Sequence, residues 1–259
     1  MAVEDSRMSF GGHLEVLRQM LFRIIAVVLI CATAVFCFKE ETFAILLAPR
    51  NNSFLTFRAI EKLLRHLGSD FRFEQYDIQL ISTELSAQFM THLETACMLG
   101  ALIASPFIIY ELFRFINPAL YDNEKRYSAV ICVTSYVLFL IGVLMNYFIL
   151  FPVAFRFLGT YQIDSSVVSQ ITISSYISTF TTLSFTMGLV FELPVLSFIL
   201  GKLGLLKAGF MRKYRRHSLI AIMVVAAFIT PPDIFTLCLV TIPLYLLYEI
   251  SIYIVSKLS

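Results

Sequence analysis

Residues 219–255 read LIAIMVVAAFIT, then PPD, then IFTLCLVTIPLYLLYEISIYIV: two apolar runs parted only by Pro231, Pro232 and Asp233. Proline lacks the N–H that a helix interior needs and disfavours helix in the residue before it, so these three residues read as a tight turn between two helices. A helix that is apolar on every side belongs inside a large core or in hydrocarbon. Crossing a ~30 Å hydrocarbon core takes ~20 residues. The first run, about a dozen residues, rises only ~18 Å. A helix that short thins the bilayer or pairs with a neighbour and leaves a wetted dent.

Four more apolar runs precede this hairpin. The expected spans are about 19–38, 86–113, 128–151, 171–200, 217–230 and 234–256, with a long loop at 39–85. The fold expected is therefore an all-α, polytopic membrane protein of six transmembrane helices, the fifth and sixth short, forming a single integral membrane domain over residues 1–259. Composition agrees: 58% of residues are hydrophobic and 15% charged, with a mean hydropathy of +0.81. Soluble domains carry about 45–50% and about 25%. A net charge of +2 leaves no basic field for nucleic acid.

The basic residues set the orientation. Most of the 20 Lys and Arg fall on one side of a six-span chain: Arg7, Arg18 and Arg23; Arg114, Lys125 and Arg126; Lys202, Lys207, Arg212, Lys213, Arg215 and Arg216; and Lys257. Positive charge in short loops stays inside, so both termini are expected in the cytoplasm and the 39–88 segment outside. Residues 1–12 are polar and partly acidic, unlike a signal or transit peptide, which favours a retained first span in a bacterial cytoplasmic (inner) membrane. The five cysteines all lie in apolar runs and read as small hydrophobes. In the outer loop, Phe54, Phe57, Ile60, Leu63, Leu64 and Leu67 recur at helical spacing before Gly68, predicting an amphipathic helix on the outer surface or packed on the bundle.

No Walker A loop, dinucleotide-binding glycine fingerprint, H-E-x-x-H or G-x-S-x-G is present, so neither an enzyme nor a cofactor is expected. The chemistry concentrates in Glu192, within SFTMGLVFELPVLSFIL at 184–200. A carboxylate in hydrocarbon costs at least ~2.5 kcal/mol, so Glu192 should face protein or water. Pro194 frees a backbone carbonyl beside it and can kink the helix. Glu192 either orients the bundle through a hydrogen bond or a bound proton, or it makes a polar contact to a partner helix or a moving substrate. Two further polar clusters flank the spans: SFGGHLEVLR at 9–18 and YELFRFINPALYDNEKR at 110–126. Acids beside aromatic residues at a membrane surface suit a basic, partly apolar peptide, because the arginine fork accepts a carboxylate bidentately.

These residues resemble the TatC family of twin-arginine translocases. The matches are S-F-x-x-H-L-x-x-L-R at 9–18; F-x-x-P-A-L-Y-x-x-E-[KR]-R at 115–126, after the Ser105-Pro106 step; F-P-x-x-F-x-F-L at 151–158; F-E-x-P-V at 191–195; and T-P-P-D at 230–233, followed by Ile242-Pro243 and Leu247-Tyr248-Glu249-Ile250. They occur in family order along nearly the whole chain. The resemblance implies a glove-shaped six-helix bundle that binds the twin-arginine signal peptides of folded cargo at its cytoplasmic face. It also implies export driven by the proton-motive force, with no nucleotide site. The partners implied are single-span TatA- and TatB-type proteins, membrane lipid and further copies of the chain in a receptor complex. Carried over, Glu124 is the acidic contact to the signal arginines, with Glu15, Arg18, Phe115 and Arg126 around it; Glu192, Thr230 and Asp233 are polar positions for partner docking. Two positions depart from the family pattern. Val16 occupies a usually acidic slot while Glu15 stands one residue early, ~100° away on a helix. Leu237 stands where some members have Gln. The alternative reading is a secondary transporter with Glu192 as its proton-coupled site. Such proteins show paired internal repeats, and none is evident between 19–151 and 171–256.

Overall fold

Hydrocarbon offers no hydrogen-bond partner, so a spanning segment must satisfy its own backbone, and a helix does so within itself. A computed structural model describes residues 10–66, 68, 78–116, 128–162, 164 and 170–258. Its helices are α1 (Phe10–Cys37), α2 (Lys39–Leu47), α3 (Leu55–His66), α4 (Ala87–Ile116), α5 (Ser128–Met145), α6 (Phe151–Thr160), α7 (Ile173–Val190), α8 (Leu193–Lys202), α9 (Ala208–Lys213), α10 (Arg215–Ile229) and α11 (Ile234–Leu258). Two short strands, β1 (Leu80–Ile81) and β2 (Ile171–Thr172), pair in parallel with Leu80 opposite Ile171. Among the described residues five helical stretches are long and apolar enough to cross a membrane: Leu14–Cys37, Ala87–Phe115, Ala129–Thr160, Ile173–Lys202 and Ile234–Leu258. Helix α10 has 15 residues, or ~22 Å, and is short as expected of the fifth run. The shortness expected of the sixth is not found. Helix α11 runs for 25 residues, its interior Pro243 carried without a break.

The chain divides into two compact units. The first comprises Met1–Lys39 with Leu93–Tyr136. Here α1 and α4 touch backbone to backbone: a Cβ on Gly100 would lie 2.6 Å from the amide nitrogen of Ala32. Small residues let membrane helices come this close. Leu21, Phe22, Ile25, Leu29 and Ile30 of α1 point outward, as a lipid-facing surface requires.

The second unit comprises Glu40–His92 with Val137–Ser259. Its α5 and α7 cross at a pair of glycines. A Cβ on Gly142 would meet the Met187 carbonyl oxygen at 2.5 Å, and one on Gly188 would meet the Phe139 ring at 2.6 Å. One turn along each helix, fully buried Asn146 donates Nδ2 to Ser184 Oγ at 2.8 Å. Close approach and one polar bond together fix the register of this crossing.

The helix of the third span continues past 151, where the sequence reading ended the span. A π turn at Asn146–Leu150 leads directly into α6, so the apolar stretch continues to Thr160. Pro152 has no N–H to give the carbonyl of Phe148 four residues back. The hydroxyl of Thr56, on α3, donates to that carbonyl instead. Helix α3 is thereby tied to the third span. Phe54 packs against the Tyr147 and Phe148 rings, and the Arg156 guanidinium lies 5.1 Å over Phe57. The loop helix of the sequence reading is thus present and bound to the bundle. Gly68 follows it at φ +82°, a left-handed conformation that glycine adopts without strain. Leu63 departs from the expected packed face and is 63% exposed. Six residues beyond Phe57, it lies ~120° round the helix. Leu67 is outside the described residues.

Candidate functional site

Among the described residues, the polar positions singled out in the sequence fall in three places. The first is in the unit containing α1 and α4. Helix α1 already includes residues 10–18, so Glu15 and Val16 point ~100° apart. Val16 is half-buried and Glu15 exposed. Arg18 Nη2 donates to Glu15 Oε1 at 2.7 Å and Gln19 Nε2 to the same oxygen at 3.1 Å. A turn further along, Arg23 donates from Nε (3.1 Å) and Nη2 (2.8 Å) to Glu111 Oε2, and Arg114 Nη1 lies 3.5 Å from Glu111 Oε1. Glu111 is 2% exposed. Two guanidinium groups therefore neutralise a buried carboxylate and fasten the N-terminal part of α1 to the C-terminal end of α4. Phe115 is half-buried one turn later. Glu124 and Arg126 lie outside the described residues.

The second place is Glu192. Pro194 cannot donate to the carbonyl of Val190, and the expected fourth span breaks there into α7 and α8. The Phe191–Glu192 turn is tightened, with the Glu192 N–H on the Leu189 carbonyl at 3.1 Å. Glu192 is half-buried in this kink, one helical turn beyond Gly188. The α5–α7 crossing thus fixes where its carboxylate stands.

The third place is the turn after α10. Thr230 is buried, and its hydroxyl donates to the Ala226 carbonyl at 3.0 Å. Asp233 Oδ1 accepts the Thr236 N–H at 2.6 Å, capping the start of α11, while Oδ2 is buried and accepts no hydrogen bond among the described residues. An N-cap of this kind is worth about 1 kcal/mol. Both residues line an apolar cavity of about 920 Å³ with Phe157, Tyr161, Phe235 and Leu237. Phe157 stacks on Phe235 at 4.2 Å. Glu192 is not part of that cavity. It lies nineteen residues past the start of α7, ~28 Å along the helix, whereas Gly159, beside the cavity residues, meets Ile171 next to that start.

Sequence reasoning missed the Arg23–Glu111 pair. The signal was available, since one charge of each sign sits inside an apolar run near the same ends of the first two spans. It also missed Glu249 of α11, whose Oε2 accepts from Arg215 Nη2 at 2.7 Å and Oε1 from the Tyr245 hydroxyl at 3.1 Å. That pair joins the base of α10 to α11, opposite the Pro-Pro-Asp turn.

Comparison with known proteins is consistent across sequence and structure. Residues 12–243 match the family model for the Sec-independent protein translocase protein TatC. The TatC of Blattabacterium sp. subsp. Periplaneta americana is 34% identical over 255 residues, covering 97% of this chain and 96% of the relative. That of Escherichia coli K12 is 31% identical over 253 residues, covering 98% and 90%. The fold is similar to a crystal structure of the twin-arginine translocase receptor TatC, with a TM-score of 0.74 and 31% identity, covering 95% of this chain and 99% of that one.

Proposed function

The chain belongs to the TatC family of Sec-independent protein translocase proteins, and from that premise we propose that it binds twin-arginine signal peptides at its cytoplasmic face and exports their folded cargo on the proton-motive force. Membership makes it a multi-pass membrane component of the twin-arginine translocase and a receptor. The observation that carries the finer reading is the exposed Glu15 carboxylate near the start of α1. Among the described residues Arg18 and Gln19 both engage Glu15 Oε1 and none engages Oε2, the oxygen proposed to receive a signal-peptide guanidinium. The segment with Glu124 follows α4 directly, and the Arg23–Glu111 clamp keeps α4 against the helix that carries Glu15. Two arginines then meet two carboxylates, with Phe115 beside them for the apolar part of the signal. Arg126 stands two positions from Glu124 in the sequence.

The membrane is the bacterial inner membrane, with both termini cytoplasmic. Support comes from the basic segments 202–216 and 114–126, which fall on one side of the spans. In cells deprived of their own TatC, the chain restores export of a folded reporter bearing a twin-arginine signal and not of its twin-lysine counterpart. In the same cells a cysteine at Ser53, placed in a cysteine-free background, reacts with an impermeant maleimide from outside. Export of both reporters alike, or labelling only after the membrane is opened, contradicts the proposal.

Partner helices of the TatA and TatB type dock on the second unit, within complexes that contain further copies of the chain. Two features support this: the Glu192 side chain at the break between α7 and α8, and the apolar cavity lined by buried Thr230 and by Asp233. A hydrogen bond between membrane helices is worth ~0.6–2 kcal/mol, enough to bias docking while leaving it reversible. Glu192→Leu should therefore fold and melt like the parent but lose roughly 3- to 30-fold in crosslinking to a partner helix. Glu192→Gln, which keeps shape and hydrogen-bonding capacity, loses less. If Glu192→Leu melts well below the parent, the residue is structural and the docking role falls.

A further inference from the structure

We infer that α3 is an interfacial helix that seats the protein on anionic phospholipid, its Leu55–Ala59–Leu63 edge in the acyl boundary and its Arg58–Lys62–Arg65 edge on the phosphates. Three observations converge on it.

The first is depth. Helix α3 rests on residues 147–156 of the third span: Thr56 on the Phe148 carbonyl, Phe54 on Tyr147 and Phe148, Phe57 under Arg156. That span, Ala129–Thr160, has 32 residues, or ~48 Å at ~1.5 Å per residue. The hydrocarbon core takes ~30 Å of it. Counted at ~1.5 Å per residue from the start of the stretch at Ala129, that core is used up near residue 149. Whatever packs on 147–156 sits at the boundary between acyl chains and headgroups.

The second is the distribution of side chains around α3. With ~100° per residue, Phe57, Ile60 and Leu64 define the packed side. Leu55, Ala59 and Leu63 follow each other at i, i+4 and i+8 along one exposed edge, and Leu55 and Leu63 are each 63% exposed. Arg58, Lys62 and Arg65 occupy the other exposed edge. A helix with an apolar edge, a basic edge and a third side fixed to protein has the pattern of an interfacial helix. Helix α2 continues the apolar edge at the same level, because the Tyr147 hydroxyl bonds the carbonyl of Ile45, whose side chain is 60% exposed.

The third is charge complementarity. Three basic residues beside an apolar strip match an anionic headgroup layer over hydrocarbon, with each cation near such a surface contributing about a fivefold preference. A second copy of this chain fits the edge poorly. In a two-fold contact Arg58, Lys62 and Arg65 would face their own copies, and like charges brought together repel.

The chain contains no tryptophan, so a single introduced indole reports without background. Full-length Leu63→Trp is reconstituted into vesicles of phosphatidylcholine, with and without phosphatidylglycerol, and Leu55→Trp serves as a second reporter should the first fail to fold. The result expected is blue-shifted emission, strong quenching by lipids brominated near the glycerol end of the acyl chains, and little quenching by iodide. Phosphatidylglycerol should deepen the bromolipid quenching, and Arg58→Gln with Lys62→Gln and Arg65→Gln should abolish that dependence. Water-like emission quenched by iodide overturns the inference. So does an indole shielded from both quenchers, which means that protein covers the edge. Both vesicle leaflets have the same composition, so the measurement reads depth and not sidedness, and its failure leaves the proposed topology and receptor role intact.

Discussion

Replacing Glu124 by lysine should abolish binding of a twin-arginine signal peptide while leaving the purified protein folded. The premise is electrostatic. A guanidinium presents a planar fork to a carboxylate, and the paired bonds are stronger and more directional than a neutral hydrogen bond. Hydrogen bonds to charged groups are worth about 1.5–3 kcal/mol, so Glu124→Gln should weaken binding roughly 10- to 100-fold. Glu124→Lys removes the same attraction and sets a cation against the arriving arginines, taking affinity below detection. Glu15→Gln should cost less, because its carboxylate already serves Arg18 and Gln19 and stands one residue from the family's acidic slot. Titration of a labelled signal peptide against each variant, with melting measured on the same samples, gives the ranking. Equal affinity for the parent and Glu124→Lys removes Glu124 from the site and leaves the α1 end alone to receive the signal.

The second large effect concerns stability. Arg23→Ala strips the buried Glu111 carboxylate of two hydrogen bonds to Oε2 and leaves, among the described residues, only Arg114 at 3.5 Å. Breaking a buried ion pair from one side costs about 3–5 kcal/mol. Arg23 is 43% exposed and water can reach the vacated side, so the lower end, about 3 kcal/mol, is expected. Converting both residues to leucine should recover most of the loss, since no charge then remains buried. The pair of variants separates stability from recognition. Arg23→Ala should melt several degrees lower, whereas the double variant melts near the parent but binds signal peptide more weakly for want of the clamp. An Arg23→Ala protein that melts like the parent would mean that Glu111 takes up a proton or finds another partner at little cost.

Much of this was legible in the sequence because the decisive signals are one-dimensional. Apolar runs of a given length become spans, proline placed between them becomes a turn, and an isolated Glu beside proline becomes a kink. The misses share a physical cause: a second segment decides the outcome. Whether the helix of the third span stops near Pro152 depends on whether some other group takes the Phe148 carbonyl, and that group, Thr56, is 92 positions away. Leu63 matched helical spacing yet lies off the packed side, because the spacing admits two adjacent stripes and only the neighbour chooses between them. Glu111 was grouped with surface acids since its partner, Arg23, was read as a loop charge rather than as the other half of a pair. The sixth helix was expected to be short by association with the fifth, but no breaker stands between Ile234 and Leu258 except Pro243, which a membrane helix tolerates.

The most direct measurement is equilibrium binding of two fluorescent signal peptides, identical except for arginine-arginine or lysine-lysine, to the purified chain in lipid nanodiscs. Receptor function of the kind proposed predicts saturable binding of the first and at least roughly tenfold weaker binding of the second, because ammonium groups cannot reproduce the forked contacts to Glu124 and Glu15. Equal affinity for the two peptides would contradict it.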